Sequence, residues 1–366
     1  MQQRRWVKGL AVLLGFVLFA AACGSDDNNN SEAGSGGGGG SSFKGCQVTD
    51  LGGVDDKSFN QTAFKGLQDA GKELGFEPKV LESQSEADYA ANIQAFQDQN
   101  CDLIITVGFL LGNATADAAQ ADPKQKFAIV DNDLFDSETN KDRNFDNVAE
   151  LVFSTDQAAF LAGYVAASQT KTGKLGTYGG LNIPTVTIFM KGFELGMEQY
   201  NKDSGKSVKL IGWSNAKNDG LFTGDFEDQA KGRSTTQTLL DQGADIIMPV
   251  AGPVGQGSIE AIKAGNSDAK LIWVDTDGCK SVAESCDLFL TSVMKNMDVA
   301  VKDVTVAAKK GTFKGGTNQG TLENDGVAIA PFHDFDSQVS QEVKDRVDEL
   351  KQQIIDGKIE TSPPSS

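Results

Sequence analysis

From residue 46 onward, short β-rich runs alternate with amphipathic stretches, and this alternation constrains the fold more than any other feature of the chain. The runs CQVTD, CDLIITVG and KFAIVD are hydrophobic almost throughout, as parallel strands covered on both faces are. A second set of similar units, from VAELVFS to AKLIWVD, follows the acidic segment DNDLFDSETNKDRNFDN. The pattern predicts an α/β protein with two doubly wound parallel-sheet lobes.

The expected domain bounds divide the folded body into two discontinuous lobes. We assign residues 43–154 and 276–297 to an N-terminal lobe, and residues 155–275 and 298–335 to a C-terminal lobe. Residues 336–366 are expected to form a C-terminal helix and tail. The helix is predicted from Ser337 to Gly357, and the final TSPPSS is expected to be frayed.

The first 22 residues have the features of an export signal. Three basic residues precede an apolar run of 14 residues, Gly9 to Ala22, which is shorter than the about 20 residues that cross a bilayer. Three alanines then lead into Cys23, and this resembles the lipobox of bacterial lipoproteins, although Ala20 stands where that motif usually has Leu. The resemblance implies that Cys23 is acylated, as with palmitate, and begins the mature chain. An ordinary cleaved signal is the alternative.

Residues 24–42, GSDDNNNSEAGSGGGGGSS, contain no apolar residue larger than Ala33 and cannot form a core. A Gly/Ser-type coil of this length spans about 25 Å root-mean-square. We therefore predict that residues 23–42 are a lipidated N-terminus and flexible linker. They would hold the folded body at the extracytoplasmic side of the cell membrane in a bacterial envelope.

Four cysteines remain beyond Cys23, and an even number in an exported chain favours disulfides. Cys46 and Cys101 each begin a predicted strand, and neighbouring parallel strands place such ends side by side. This favours the pair Cys46–Cys101 and leaves Cys279–Cys286 to close a short loop. A four-cysteine metal site is the alternative, which the absence of a CxxC spacing disfavours.

Charge and histidine content narrow the function classes. The chain has 33 Lys+Arg against 51 Asp+Glu, and removing the signal leaves 30 against 51, a charge of −21. Such an acidic chain is a poor partner for nucleic acid. The single histidine, His333, excludes a multi-His metal site and is interpreted as structural. We predict a binding protein, not an enzyme, with no catalytic residue, cofactor or metal.

Ligands of open α/β sheets bind beyond the carboxyl ends of the strands. The residues at those positions are carboxylates and glycines, namely Asp50, Gly108, Asp131, Gly252 and Asp275. Phenylalanines lie near them in the sequence. This set favours a ligand that has hydroxyls or ring nitrogens and a flat ring to stack. No basic cluster accompanies it, so a phosphorylated ligand is disfavoured.

Several segments, in this order, resemble the basic membrane protein family: VTDLGGVDDKSFNQTAFKGL, LIITVGFLLGNATADAA, FMKGFELGM, GDFEDQAKG, QGADIIMPVAGPVGQG, VDTDG and LTSVMKNMD. The resemblance covers roughly residues 46 to 335. It implies a lipoprotein with the type I periplasmic-binding-protein fold, whose two lobes are joined by a hinge. It also implies a purine nucleoside receptor for an ABC transporter, and we expect a monomer.

Members of that family sandwich a purine between two aromatic rings. The resemblance assigns Phe59 to the first ring and Phe226 to the second, with Phe222 and Trp213 as competing candidates. It assigns Asp131 to the edge of the base. The residues that it assigns to the ribose are Asp50, Asn60, Gly252, Asp275 and Lys295.

Two of these assignments have specific alternatives. Asp277 could replace Asp275, because the spacing to the next motif varies, and either carboxylate could merely cap a loop. A Phe at a helix start is a core residue about half of the time. For Phe59, the preceding polar run DDKS favours a position at the rim of a site.

Three functions stay open at this point. The first is a receptor that delivers a purine nucleoside of the adenosine, guanosine or inosine class to the permease subunits of an ABC importer, and it is the one we expect. The second is the same scaffold binding another solute, such as a sugar, a nucleobase or a signal molecule. The third is a nucleoside-processing enzyme, which would need a shifted carboxylate as its acid or base.

Overall fold

The computed structural model describes residues 43–136, 141–143 and 145–362. The predicted signal, Cys23, the linker and the last four residues of the chain lie outside this part. None of the helices in it is long and apolar enough to cross a membrane.

The strands of the described residues are, in chain order, β1 (Gly45–Thr49), β2 (Lys79–Leu81), β3 (Leu103–Val107), β4 (Lys126–Val130), β5 (Phe135–Asp136), β6 (Lys141–Asp142), β7 (Val148–Phe153), β8 (Lys174–Gly179), β9 (Lys209–Ile211), β10 (Trp213–Ser214), β11 (Asp219–Gly220), β12 (Ile246–Val250), β13 (Lys270–Asp275), β14 (Phe289–Lys295), β15 (Gly316–Gly320) and β16 (Val327–Ile329). The α-helices are α1 (Phe59–Leu74), α2 (Tyr89–Asp98), α3 (Gly112–Ala121), α4 (Thr155–Gln169), α5 (Pro184–Ser204), α6 (Gln229–Asp241), α7 (Gln256–Ala264), α8 (Gly278–Ser281), α9 (Met297–Lys310) and α10 (Gln341–Ile355).

The first lobe is built on a parallel sheet with the strand order β15-β7-β4-β3-β1-β2. Side chains of successive strand residues point to opposite faces. In β3, Leu103 and Ile105 join the core under α1 and α9, whereas Ile104 joins the core under α2 and α3. Because both faces are buried, the strand is apolar at every position except Thr106.

The second lobe has the strand order β16-β14-β13-β12-β8-β9. Its pairs are parallel except for β14 with β16, which is antiparallel. Helices α4 and α5 cover one face, and α6 and α7 cover the other. The predicted α/β class with two doubly wound, parallel-sheet lobes is confirmed, with one antiparallel edge strand as the difference.

The predicted lobe bounds are wrong at two places. Residues 276–297 were expected in the first lobe, but β14 pairs with β13 and therefore belongs to the second. Residues 298–335 were expected in the second lobe, but α9 packs on α1 and β15 extends the first sheet beside β7. A hydrophobic run identifies a strand but not the strand that it pairs with. The positions at which the chain crosses from one lobe to the other were therefore assigned wrongly after residue 275.

Within the described residues, the chain passes between the lobes from β7 to α4, from β14 to α9, and from β15 to β16. These passages are the connections that join the lobes, as the predicted hinge requires. Because the chain passes between the lobes three times, neither lobe is continuous in sequence.

Both predicted disulfides are present in the structure. Cys46 and Cys101 lie at the starts of the paired strands β1 and β3, with their Cα atoms 6.1 Å apart. Cys279 and Cys286 close a short loop in the second lobe, with a Cα separation of 4.5 Å.

The C-terminal helix α10 is shorter than predicted, because Ser340 accepts the Val343 N–H and thereby marks its start. The tail is not frayed at its first two residues. The hydroxyls of Thr361 and Ser362 both donate to the Oδ2 atom of Asp156, at 2.6 Å each. Asp156 lies in the first turn of α4, so the tail is tied to the helix that begins the second lobe.

Candidate functional site

A cavity lies between the two lobes, at the carboxyl ends of strands from both sheets. Its empty space is about 550 Å³, a figure that includes open solvent at its mouth. The structure brings eight of the nine predicted binding residues to its wall: Asp50, Phe59, Asn60, Asp131, Phe226, Gly252, Asp275 and Lys295.

Four charged residues of the wall are placed by the ends of four strands. Asp50 and Asp131 directly follow β1 and β4 in the first lobe, and Asp275 and Lys295 end β13 and β14 in the second. Asp131 and Asp275 have φ values of +63° and +69°. A left-handed backbone is costly for a residue other than glycine and is found most often at functional sites.

Lys295, a residue of the cavity wall, joins the two lobes. Its side chain is 3% exposed, and its Nζ atom donates to Asp131 of the first lobe and lies 3.2 Å from Asp275 Oδ1. Burial disfavours the charged ammonium, but the two carboxylates more than offset this and raise the pKa of Lys295. Lys295 is therefore a buried cation that presents N–H donors between two acids.

The Lys295 ammonium also lies over aromatic rings. Its Nζ atom is 4.7 Å from the ring centroid of Phe59 and 5.2 Å from that of Phe189. Both distances are within the range of cation–π attraction. Lys295 therefore contacts both the aromatic rings and the carboxylates of the wall.

Asp50 and Asn60 form a buried polar pair in the first lobe. The Asn60 Nδ2 atom donates to Asp50 Oδ1 at 2.9 Å, while the Asn60 Oδ1 atom is buried without a partner among the described residues. Burial raises the pKa of the Asp50 carboxyl well above its ordinary value, and the neighbouring Asp56 and Asp131 add to this against the Asn60 amide. The free oxygen of Asn60 is an acceptor available to a ligand.

Asp56 also lines the cavity, and the sequence reasoning did not identify it. Its carboxylate accepts the backbone N–H groups of Ser58, Asn60 and Gln61 at 3.0, 2.7 and 3.1 Å. Burial nevertheless raises the pKa of Asp56 to about 6. An acid shortly before a helix start is a recognised helix-capping signal and could have identified this residue.

The structure separates the three candidates for the second aromatic ring. Phe226 lines the cavity, half-buried, opposite the start of α1. Phe222 packs against Gly179 and edge-on to Trp213, outside the cavity wall. Trp213 is buried in the second lobe, where its Nε1–H donates to Asn215.

Asp277 is the predicted residue that the structure does not bring to the cavity. It precedes α8, where its carboxylate accepts the Cys279 N–H and lies 3.0 Å from His333 Nε2. Asp277, Cys279 and His333 bring ligand-type atoms within 4.8 Å of one another. The disulfide of Cys279 with Cys286 removes the thiolate, so this group offers a metal two ligands and not three.

The wall is acidic overall. Four carboxyl groups, those of Asp50, Asp56, Asp131 and Asp275, face the single ammonium of Lys295. Burial raises the pKa of Asp131 above its ordinary value, although the attraction of Lys295 opposes this. A ligand that carries hydroxyl and N–H donors suits such a wall, whereas a phosphate would meet like charge.

Comparison with known proteins gives consistent matches. Residues 43–361 match the family model Bmp, described as ABC transporter substrate-binding protein PnrA-like. The chain is 36% identical to the ABC transporter nucleoside-binding protein BmpA of Lactococcus lactis, over 87% of this chain and 89% of that protein. It is 33% identical to the CD4+ T-cell-stimulating antigen of Listeria monocytogenes, over 98% of both chains.

Among solved structures, an ABC transporter solute-binding protein of Aeropyrum pernix K1 matches with a TM-score of 0.77 and 27% identity. The match covers 88% of this chain and 94% of that one. It supports the periplasmic-binding-protein type of fold, with two lobes about a central cleft.

Proposed function

We propose that this chain, which belongs to the Bmp family of PnrA-like ABC transporter substrate-binding proteins, binds a purine nucleoside between its lobes for delivery to an ABC permease. Its family is one of substrate-binding proteins and not of enzymes. The observation that carries the nucleoside proposal is that Phe59 and Phe226 line the same cavity as Asp131, Asp275 and Lys295.

The aromatic pair supports a flat ligand. Phe59 belongs to the first lobe and Phe226 to the second, so a base held between them would be enclosed as the lobes close. Stacking of a base on an aromatic side chain contributes about 1 to 3 kcal/mol. The relative named as a nucleoside-binding protein supports the same ligand class.

The polar wall supports a ribose and a neutral ligand. The carboxylates of Asp131 and Asp275 can accept from hydroxyl and N–H groups, while Lys295 and the free oxygen of Asn60 supply one donor site and one acceptor site. The ammonium of Lys295 is already paired with two acids. A nucleotide phosphate would therefore find four carboxyl groups and no unpaired cation in the wall.

The test is calorimetry with adenosine, guanosine and inosine on protein that has been unfolded and refolded to remove any retained ligand. We expect heat of binding from at least one nucleoside and none from the corresponding nucleoside monophosphate. Absence of heat from all three nucleosides overturns the proposal. Mass spectrometry of small molecules released from freshly purified protein identifies the ligand if a sugar, a free nucleobase or another solute occupies the cavity instead.

We also propose that the protein is a monomer anchored to the cell membrane through acylated Cys23, which lies outside the described residues. The basic start, the apolar run and the three alanines before Cys23 support this. Labelling cells with a palmitate analogue should mark the native chain and not the Cys23→Ser variant. Light scattering on the purified protein tests the monomer, and a dimer mass contradicts it.

A further inference from the structure

The loop between β1 and α1, residues 50–58, contacts the second lobe near both of its ends. Near its start, Gly52 lies so close to Pro253 that an added Cβ atom would be 2.9 Å from the proline Cγ. At its end, Ser58 Oγ lies 2.9 Å from Asp275 Oδ2 and 3.1 Å from the Val274 carbonyl oxygen. One loop of the first lobe therefore bridges the cleft.

The Ser58 contact is buried. Ser58 has no exposed surface, and the carboxylate that accepts from it also pairs with Lys295. A hydrogen bond to a charged acceptor is stronger than a neutral one, and burial strengthens it further. The hydroxyl thus forms a direct bond between the lobes through a residue that does not line the cavity.

Asp56 fixes the position of this hydroxyl. The first N–H groups of a helix have no partner within the helix. Asp56 accepts three N–H groups at the start of α1, including that of Ser58 itself at 3.0 Å. The Ser58 backbone is therefore tied to the same turn that carries Phe59 and Asn60.

We propose that Ser58 and Asp56 are positioning residues for closure of the cleft. Asp56 holds the first turn of α1, and Ser58 bonds that turn to Asp275 of the second lobe. The closed conformation is thereby stabilised by a direct bond between the lobes, in which no ligand atom need take part. The inference depends on the proposed function only in taking closure to be the step that encloses the ligand.

This role predicts separate effects on the two binding rates. A ligand enters the open state, so loss of the bridge should not lower the association rate constant and should raise it in proportion to any gain in open molecules. It leaves only when the lobes reopen, so the dissociation rate constant should rise. A residue that mattered only for folding would change the amount of folded protein and neither rate constant.

The first experiment needs no ligand. Dyes are attached through unnatural amino acids at the exposed positions 72 on α1 and 202 on α5, and energy transfer between them reports the ratio of closed to open molecules. For Ser58→Ala we expect this ratio to fall by about tenfold or more, the effect of losing a hydrogen bond to a charged group. Asp56→Asn, which keeps the volume but loses acceptor strength, should lower the ratio in the same direction.

The matched control is Ser258→Ala. Ser258 is equally buried, but its hydroxyl bonds Tyr178 and Thr236 within the second lobe. This variant should lower the unfolding free energy and leave the closed-to-open ratio unchanged. If Ser58→Ala keeps the wild-type ratio, or if the wild-type protein is already open without ligand, the proposal is overturned.

The second experiment is stopped-flow binding of the nucleoside that gives heat in calorimetry. Ser58→Ala should raise its dissociation rate constant by about tenfold, with no fall in the association rate constant. A fall in the association rate constant as large as the rise in the dissociation rate constant would contradict the role in closure. If no nucleoside binds, the proposed function fails while the ligand-free experiment still decides the role of Ser58.

Discussion

Lys295 of the second lobe donates to Asp131 of the first, and this buried ion pair joins the two lobes across the cleft. The two residues are 164 positions apart in the chain, yet each stands at the carboxyl end of a parallel strand. The pair therefore depends on the mutual placement of both sheets. It links the stability of the protein to the geometry of its binding site.

Removal of the Lys295 charge should be strongly destabilising. Lys295→Met leaves Asp131 and Asp275 buried without their cation, and breaking a buried pair in this way costs about 3 to 5 kcal/mol. Urea unfolding of the ligand-free protein measures the change. Lys65→Met is the control, because its pairs with Asp69 and Asp298 are exposed and such pairs contribute at most about 1 kcal/mol. Equal losses in the two variants would contradict the prediction.

Acidification should stabilise the folded state through Asp56. Its pKa of about 6 in the folded protein lies above the ordinary value of 3.8. The folded state therefore keeps a proton that the unfolded state has lost, so this contribution is present below pH 3.8 and is lost as the pH rises through 6. Its size is about 1 to 3 kcal/mol.

Asp50 and Asp131 also have raised pKa values. The contribution of Asp56 is therefore obtained by subtracting the stability of a variant that lacks its carboxyl group from that of the wild type. Urea unfolding of the wild type and of Asp56→Asn is measured from pH 4 to pH 7.5. We expect the stability of the wild type relative to the variant to decline across that range. A constant difference would mean that Asp56 does not titrate there.

Strand ends predicted part of the site, because apolar strands end abruptly at polar residues, whereas Asn60, Phe226 and Lys295 were assigned only by the family resemblance. Asp50, Asp131 and Asp275 each follow or end such a run, and parallel strands bring those ends to one edge. Asp277 is an alternative to Asp275 in the sequence because the spacing to the next motif varies. In the structure it turns away to cap α8 and contact His333.

Pairing between distant segments could not be read from local pattern. The apolar run of β14 fits either sheet equally well, and only its register with β13 assigns it to the second lobe. The same holds for β15, whose short polar sequence GTNQG gives little sign of a strand. Both depend on where the hinge connections cross, which is a property of the whole fold.

The two cavity rings should each contribute to affinity for a base. Phe59→Ala and Phe226→Ala are expected to weaken nucleoside binding by about 1 to 3 kcal/mol each. Phe222→Ala is the matched control, since its ring packs on Trp213 outside the cavity wall. Calorimetry gives the three affinities. A loss of affinity in Phe222→Ala but not in Phe226→Ala would show that Phe222 is the second stacking ring.

The two disulfides should differ in their effect on stability. Cys46–Cys101 spans 55 positions and Cys279–Cys286 spans 7. A cross-link restricts the unfolded chain more as its loop lengthens, and chain-entropy arguments give about 4 kcal/mol for the longer loop and about 2.5 kcal/mol for the shorter. The paired serine variants of each bridge, compared by urea unfolding under oxidising conditions, measure the two contributions. We expect the larger loss from the Cys46–Cys101 bridge, whose cysteines are also buried in the first-lobe core. The opposite order would show that the short loop around α8 is stabilised chiefly by its bridge in the folded state.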